Sequence, residues 1–456
     1  MKEPGWVALD RAHVWHPYTQ MLTAPPPTPL AGAQGVYLHT TGGRKILDAI
    51  SSWWVNIHGH NHPRLNQALA AQGARLSQAI FAGFTHEPAA LLAAELSRRA
   101  PAGLDRVFYS DDGSTAVEVA LKMAWQYWKN RGETNRTLFV ALEQGYHGDT
   151  FGAMAASGTS AFNAKFRELL FEVRFAHAHY EDGSPVGTLV PECRVDADLS
   201  PTPGASPGSK CTASIEQILR DEGDRVAAVI IEPMVQGAGG MRIWPAAYLR
   251  HVREVTAKLG IPLIADEVMT GFGRTGKMFA CEHALVSPDI MCLSKALTGG
   301  YLPLGATLCT ERIYQAFLSE DRDKTLFHGH SFTGNALSCA VALESLRLFD
   351  EEKRLARVAE LQQVFNERLD DLRGTNGVRE ARGIGGIAAI ELDAGGGYLS
   401  ELGPKLYREF LARDILLRPL GNVIYVMPPY IITNDEVHRV FDGIEEVLNL
   451  TAIASP

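Results

Sequence analysis

The chain has 456 residues and a net charge of −9, and it is 46% hydrophobic and 21% charged. That length holds two or three domains, and the composition is that of an ordinary globular enzyme. It shows no basic run to bind nucleic acid, no apolar run of the ~18 residues that a membrane span needs, and no apolar signal core in MKEPGWVALDRAHVW. A cytoplasmic location is therefore expected. The six cysteines (Cys193, Cys211, Cys281, Cys292, Cys309, Cys339) include no CxxC pair. Several lie in apolar segments and read as small buried thiols, as in a reducing compartment.

Residues 1 to 34 read as irregular and aromatic, and Pro25-Pro26-Pro27 rules out a helix there. Val36 to Leu38 and Ile46 to Leu47 flank Thr41-Gly42-Gly43-Arg44 as a hairpin. In Ser51 to Pro63, SSWWVNIHGHNHP, two adjacent tryptophans cannot share one face, so at least one is expected to line a pocket. His58, His60 and His62 have a spacing that a metal could use. With no acid or cysteine beside them in sequence, they read as a polar turn before a helix over 63 to 78. A helix over Pro88 to Arg99 and a strand over Arg106 to Ser110 follow. The next helix has Val117, Ala120, Leu121, Ala124 and Trp128 at helical spacing, with Thr115 and Glu118 as a capping box. Strands are predicted over Thr137 to Leu142, Val226 to Ile231, Ile261 to Ala265 and Ile290 to Leu293. A helix between Pro245 and Gly260 precedes the third of these. This alternation predicts an α/β fold with a mostly parallel sheet covered on both faces. Residues 178 to 211 are rich in Pro, Gly, Ser and Asp and read as a long surface excursion without chemistry. Beyond residue 332 a mixed pattern predicts a smaller α+β domain. It has helices over Asn335 to Phe349, Lys353 to Leu372, Lys405 to Arg413 and Asp435 to Leu448, a strand over Ile387 to Leu392, and two short strands around Gly421-Asn422. The expected division is an N-terminal segment over 1–65, a large domain over 66–332 and a small domain over 333–456.

The chemistry centres on 261 to 305. One buried strand ends on Asp266-Glu267 and another on Ser294-Lys295, which places an acid and an amine at one sheet edge, where ligands bind in open α/β sheets. Pyridoxal phosphate requires that pair: an amine to form a Schiff base with its aldehyde, and a carboxylate to keep its pyridine nitrogen protonated. Gly113-Ser114-Thr115 opens a helix at the same predicted edge, where free N–H groups and the helix dipole favour a phosphate. Tyr146 follows a strand and is able to stack on a planar ring. Gly271-Phe272-Gly273-Arg274-Thr275-Gly276 fits the dinucleotide pattern G-x-G-x-x-G, but Lys277 to Pro288 is too short and broken for the helix that site needs, so the glycines read as a loop.

Together, Gly113-Ser114, Tyr146-His147-Gly148, Asp266-Glu267, Gly271 to Gly276 and Ser294-Lys295-Ala296 resemble the class-III aminotransferases, fold-type-I pyridoxal-phosphate enzymes that act on amines away from the α-carbon. Trp15-His16-Pro17-Tyr18-Thr19-Gln20, Ser52-Trp53-Trp54, Lys295 to Gly300, Arg418-Pro419-Leu420-Gly421 and Met427-Pro428-Pro429-Tyr430 resemble the biotin-pathway branch of that family. Its members convert 7-keto-8-aminopelargonate (8-amino-7-oxononanoate) to 7,8-diaminopelargonate. Only the 178 to 211 excursion lies outside the resemblance.

The resemblance implies that Lys295 is the cofactor lysine and the general base and acid, that Asp266 pairs with the pyridine nitrogen, and that Tyr146 covers the ring. It implies that Gly113 and Ser114 hold the phosphate, and that Tyr18, Trp53 and Trp54 line the substrate cleft with Gly329 at its border. Arg418 takes the far carboxylate of the keto acid, a task suited to a bidentate guanidinium. Arg274 is either structural or at the edge of the site. A homodimer with shared active sites and ping-pong kinetics are also implied. Gly329-His330-Ser331 departs from the Gly-Pro-Thr of many S-adenosylmethionine users. There Ser331, with His330 in place of the proline, would reach the phosphate of a neighbouring subunit. A similar run occurs in relatives that take lysine, so S-adenosylmethionine is the preferred donor and lysine the alternative. Two rival readings are another class-III ω-aminotransferase or aminomutase, and a non-catalytic pyridoxal-phosphate-binding regulatory module. Retention of both Lys295 and Asp266, without an added DNA-binding segment, disfavours the module.

Overall fold

The structure is a computed structural model that describes residues 4–177, 214–394 and 397–453. The 178 to 211 excursion, with Cys193 and Cys211, lies outside the described residues. The other four cysteines are free and buried, as the apolar segments around them predicted.

The N-terminal part is more ordered than its prolines implied. A helix spans Gly5–His13, well before Pro25, and β1 (Leu30–Gln34) precedes β2 (Tyr37–Thr40) and β3 (Lys45–Asp48). β2 and β3 form the expected hairpin, with Gly43 at φ 83° in its turn, a value that favours glycine. The next helices are Pro63–Gly73, shorter than predicted, and Glu87–Arg99.

The central sheet is built from β4 (Arg106–Ser110), β5 (Leu138–Leu142), β6 (Val173–Ala176), β7 (Val226–Ile231), β10 (Leu263–Asp266), β11 (Ile290–Leu293) and β12 (Gly305–Cys309). A two-stranded ribbon, β8 (Val235–Gln236) with β9 (Arg242–Ile243), interrupts the series. In space the order is β4-β12-β11-β10-β7-β5-β6. β12 runs antiparallel to both its neighbours, and the remaining pairings are parallel. Every residue of β5, β7, β10, β11 and β12 is buried, because helices cover both faces. The helix Gly113–Asn130 presents Val117, Ala120, Leu121, Ala124 and Trp128 to the sheet, all buried. Its cap differs from the expectation. Asp112 is the N-cap: its carboxylate accepts from the Thr115 N–H at 2.7 Å, and the Asp112 N–H donates to Thr115 Oγ1 at 3.0 Å. Glu118 instead accepts from Thr150 Oγ1 and the Ala153 N–H.

The C-terminal part has β13 (Val378–Ile384), which the sequence reading missed, β14 (Ile387–Leu392), β15 (Ile415–Leu416) and β16 (Val423–Val426). β13-β14-β16 is an antiparallel sheet, whereas β15 leaves it and pairs in parallel with β3, Ile415 opposite Leu47 and Leu416 opposite Asp48. The two strands expected around Gly421-Asn422 thus belong to different sheets. Helices Ala336–Glu351, Arg354–Leu372, Leu402–Ala412 and Asn434–Ile453 complete this part. No helix among the described residues is long and apolar enough to cross a membrane.

Candidate active site

β4, β5, β7, β10 and β11 all end at one edge of the central sheet, and the residues just past those ends line a cavity of about 640 Å³. Asp266 ends β10 and is buried. Its Oδ2 accepts from His147 Nδ1 at 2.7 Å, and its Oδ1 accepts from the Val268 N–H at 3.1 Å. The carboxylate is thus fixed from two sides. Lys295 follows β11 in the left-handed region, at φ 46°. Its Nζ lies 4.6 Å from the centre of the Trp54 ring. Burial holds its pKa down to about 8, against the opposing pull of Asp266 and Glu232. A lysine with a depressed pKa is a neutral nucleophile for more of the time than an exposed one.

The helix Gly113–Asn130 points its N-terminus at the same cavity, which Gly113 and Ser114 line. Its first intrahelical bond is the Ala116 N–H to the Asp112 carbonyl, so the N–H groups of Gly113 and Ser114 precede the ladder. A Cβ on Gly113 would come within 2.5 Å of Val268 Cγ1, so only glycine brings this turn so near the strand end. Tyr146 lines the cavity on the far side. Its N–H donates to Glu232 Oε1 at 2.9 Å, and Glu232 Oε2 accepts from the Gly237 N–H at 2.9 Å. Burial raises the Glu232 pKa to about 7.

A second cavity of about 310 Å³ adjoins the first and shares Trp54, Tyr146 and Lys295 with it. Tyr18, Trp53, Phe162, Tyr398, Tyr425 and Arg418 also line it. Tyr18 packs on Trp53 at 5.4 Å and on Phe162 at 5.7 Å between ring centres. The Tyr18 hydroxyl donates to Asp149, and burial with that bond pushes its pKa up to about 12. The Arg418 guanidinium stands 5.2 Å from the centre of the Trp53 ring and has no hydrogen-bond or ion-pair partner among the described residues.

The sequence reading named Lys295, Asp266, Gly113, Ser114, Tyr146, Tyr18, Trp53, Trp54 and Arg418, and the fold gathers all nine around these two cavities. Gly329, His330 and Ser331 line neither cavity within one chain. His330 Nε2 lies 3.7 Å from Asp111, and the Ser331 carbonyl accepts from Gln78. Arg274 is fully buried. It donates to the carbonyls of Pro428 at 2.8 Å and Trp54 at 3.4 Å and stacks 4.8 Å from the Tyr430 ring, so its place is structural. Its loop opens no helix of the kind a dinucleotide needs, since the next one, Cys281–Ala284, has four residues. The three histidines part: His60 turns to Asp48, His58 to Ser345 and His62 to Glu352.

The reading passed over Glu232 although, like Asp266, it closes a buried strand, which is the signal that would have found it. The bond from His147 to Asp266 has no local signal in the sequence, since 119 positions separate the two residues. Phe162 and Tyr398 stand in loops with no local pattern, and only the fold brings them to the cleft.

An amine of lowered pKa, a fixed buried carboxylate, a glycine-opened helix N-terminus and a cavity of about 640 Å³ lined by Tyr146 fit pyridoxal phosphate at the edge of a fold-type-I sheet. The sequence profile of the family Aminotransferase class-III matches residues 21–448, and the chain belongs to that family. It is therefore an aminotransferase, and its cofactor is pyridoxal phosphate. The chain is 46% identical to the adenosylmethionine-8-amino-7-oxononanoate aminotransferase of Synechococcus elongatus, over 96% of this chain and 98% of that one. The crystal structure of the enzyme of that name from Methanocaldococcus jannaschii superposes with a TM-score of 0.86 at 35% identity, covering 97% of this chain and 98% of that chain. A PLP-bound amine transaminase from an uncultivated Pseudomonas species gives 0.82 at 31% identity, covering 95% and 97%.

Proposed function

We propose that this chain transfers an amino group to 8-amino-7-oxononanoate, giving 7,8-diaminononanoate for biotin synthesis, with S-adenosylmethionine as donor. The observation that carries the reading is the second cavity. It is an aromatic cleft that begins at Lys295 and holds Arg418, an arginine without an ion-pair partner among the described residues. A keto acid with an apolar chain and a carboxylate at its far end matches that order of surfaces. The names of the relatives support the same substrate.

Pyridoxal phosphate, when bound, supplies an aldehyde that condenses with amines and a ring that accepts electrons from the bond being broken. The chain's residues do the rest. Asp266, held by His147, would face the pyridine nitrogen and keep it protonated. Gly113 and Ser114 would receive the phosphate, and Tyr146 would cover the ring. Lys295 Nζ, whose pKa burial holds down to about 8, would take a proton from the donor carbon in one half-reaction and supply one to the acceptor carbon in the other. Arg418 would orient the keto acid through two parallel hydrogen bonds to its carboxylate. Trp53, Trp54 and Tyr18 would flank the apolar chain between. Ping-pong kinetics follow, because donor and acceptor use the same cleft in turn.

The protein is further read as a cytoplasmic homodimer. Gln78 bonds the Ser331 carbonyl and Asn335 bonds that of Ser77, which joins the 77–84 and 327–335 segments. These segments expose Ile80, Phe84, Phe327 and Phe332, apolar side chains that a second copy would cover. Gly329, His330 and Ser331 would then border the partner's site. The division into 1–65, 66–332 and 333–456 is retained, and the pairing of β3 with β15 supports assigning the first segment to the small domain.

The test is to load the purified protein with cofactor, supply 8-amino-7-oxononanoate with S-adenosylmethionine or lysine separately, and look for the diamine. Diamine from the first donor supports the full reading. Diamine only from lysine keeps the acceptor and replaces the donor. No diamine from either overturns it.

A further inference from the structure

Both tryptophans of the cleft hang on one four-residue turn, Ser51 to Trp54, and that turn is under backbone strain. Ser51, Ser52 and Trp54 have φ values of 51°, 60° and 70°, a region that non-glycine residues rarely enter. Ser52 combines φ 60° with ψ −70°, the rare form of the γ-turn. Such conformations persist only where the surroundings over-determine them.

Asp48, the last residue of β3, supplies that over-determination. It is fully buried. Its Oδ1 accepts from the Ser52 N–H at 2.8 Å and its Oδ2 from the Ser52 hydroxyl at 3.0 Å, so it clasps the strained residue by both its donors. It also accepts from the Ile50 N–H at 3.3 Å and from His60 Nε2 at 2.9 Å. Asp48 itself is fixed: its N–H donates to the Val36 carbonyl at 2.8 Å, and Leu416 of β15 lies opposite it. His60 is fixed by paired backbone bonds to Gly35. A buried carboxylate with four donors is costly to leave unsatisfied, so the turn and its clasp stabilise each other.

What the turn presents is specific. The Trp54 ring faces Lys295 Nζ, and the Trp53 ring faces the Arg418 guanidinium. We propose that Asp48 is a positioning residue of the active site. By holding Ser52 in its strained conformation it sets both tryptophan rings at once, one against the catalytic amine and one against the carboxylate-binding arginine. This rests on the assignment of the cleft above.

The experiment uses the full chain. Asp48→Ala in the cofactor-loaded protein should lower kcat/KM for the keto acid about tenfold or more, since a displacement of about 1 Å at a site is enough for such losses. Both KM and kcat should change, because both rings move. Far-UV circular dichroism and cofactor content should stay at parent values. In the cofactor-free chain the near-UV tryptophan signal should change, and that change should vanish in a Trp53→Phe, Trp54→Phe background. Ser52 supplies a second pair of variants, in case Asp48→Ala does not fold. Ser52→Ala loses the hydroxyl half of the clasp and keeps the steric cost of positive φ. Ser52→Gly loses the same bond and removes that cost. The glycine variant should therefore keep more kcat/KM and a more parent-like near-UV signal than the alanine variant. The opposite order, or an Asp48→Ala protein within about twofold of the parent, overturns the proposal. A parent that makes no diamine counts against the functional reading, and the near-UV order in cofactor-free protein then tests the clasp separately.

Discussion

The two ends of the active site are made in different ways. The cofactor end is rigid and buried. Asp266, Glu232 and Lys295 sit at or just past strand ends inside a sheet whose central strands are buried throughout. Asp266 lies in the ladder opposite Cys292 and is held by His147 and the Val268 N–H, Glu232 accepts from the Tyr146 and Gly237 N–H groups, and Lys295 is set against the Trp54 ring. The proposed acceptor end is assembled from segments far apart in the chain: Tyr18, the Ser51 to Trp54 turn, Phe162, Tyr398 and Arg418. Trp53 remains 39% exposed and Tyr18 42%. The comparison teaches a division of labour. The residues proposed to hold the cofactor rest on the sheet, while those proposed to select the substrate rest on loops and turns, which tolerate change without disturbing the sheet.

The largest test of this comparison strikes the buried end. Lys295→Ala should reduce turnover to less than about one-thousandth, since both the covalent amine and the proton carrier are lost. Steady-state assay of the diamine checks it, and near-parent turnover would remove Lys295 from its role. Asp266→Asn should retain cofactor, measured by its visible absorbance, yet lose roughly 100-fold in kcat, because a neutral amide does not hold a ring nitrogen protonated. Normal turnover would show that the carboxylate is a structural part of the sheet edge.

At the acceptor end the effect should be smaller and one-sided. Arg418→Ala should raise the KM for the keto acid by about 30-fold, equivalent to ~2 kcal/mol for a lost charge-assisted bidentate contact. The donor half-reaction, followed by single-turnover spectroscopy, should change much less. Equal losses in both halves would mean that Arg418 supports the fold.

The smallest effect is one of pH. Lys295 is held down to about 8 by burial, from an ordinary lysine value of 10.5. Its reactive form is the neutral amine, which gains population as pH rises. Capture of pyridoxal phosphate by the cofactor-free chain should therefore quicken up to about pH 8 and then level off. A rise continuing towards pH 10.5 would indicate an amine that the site does not desolvate.

Much of the buried end was legible without the structure. Strands covered on both faces are continuous apolar runs, so Ile290 to Leu293 was read to the residue and the run before Asp266 to within two. An acid or amine at the end of such a run has one place to go, the edge of the sheet. Helix caps were less legible. The box around Thr115 uses Asp112 instead of Glu118, because Glu118 has a stronger claim on it from Thr150 and Ala153, more than thirty residues away.

The chain's local patterns by themselves determined that it is an α/β protein with an acid, an amine and a phosphate-ready helix at one sheet edge, and hence the cofactor. They carry that much because burial periodicity and strand ends are short-range properties. Only the tertiary structure decided that β12 is antiparallel, that β15 abandons its neighbour for β3, and that Asp48, His60 and Arg274 brace the tryptophan turn. Apart from the four-residue reach of Asp48 to Ser52, those are pairings between residues about ten to several hundred positions apart. Their energies come from hydrogen bonds of buried groups, which exist only once the partners are brought together.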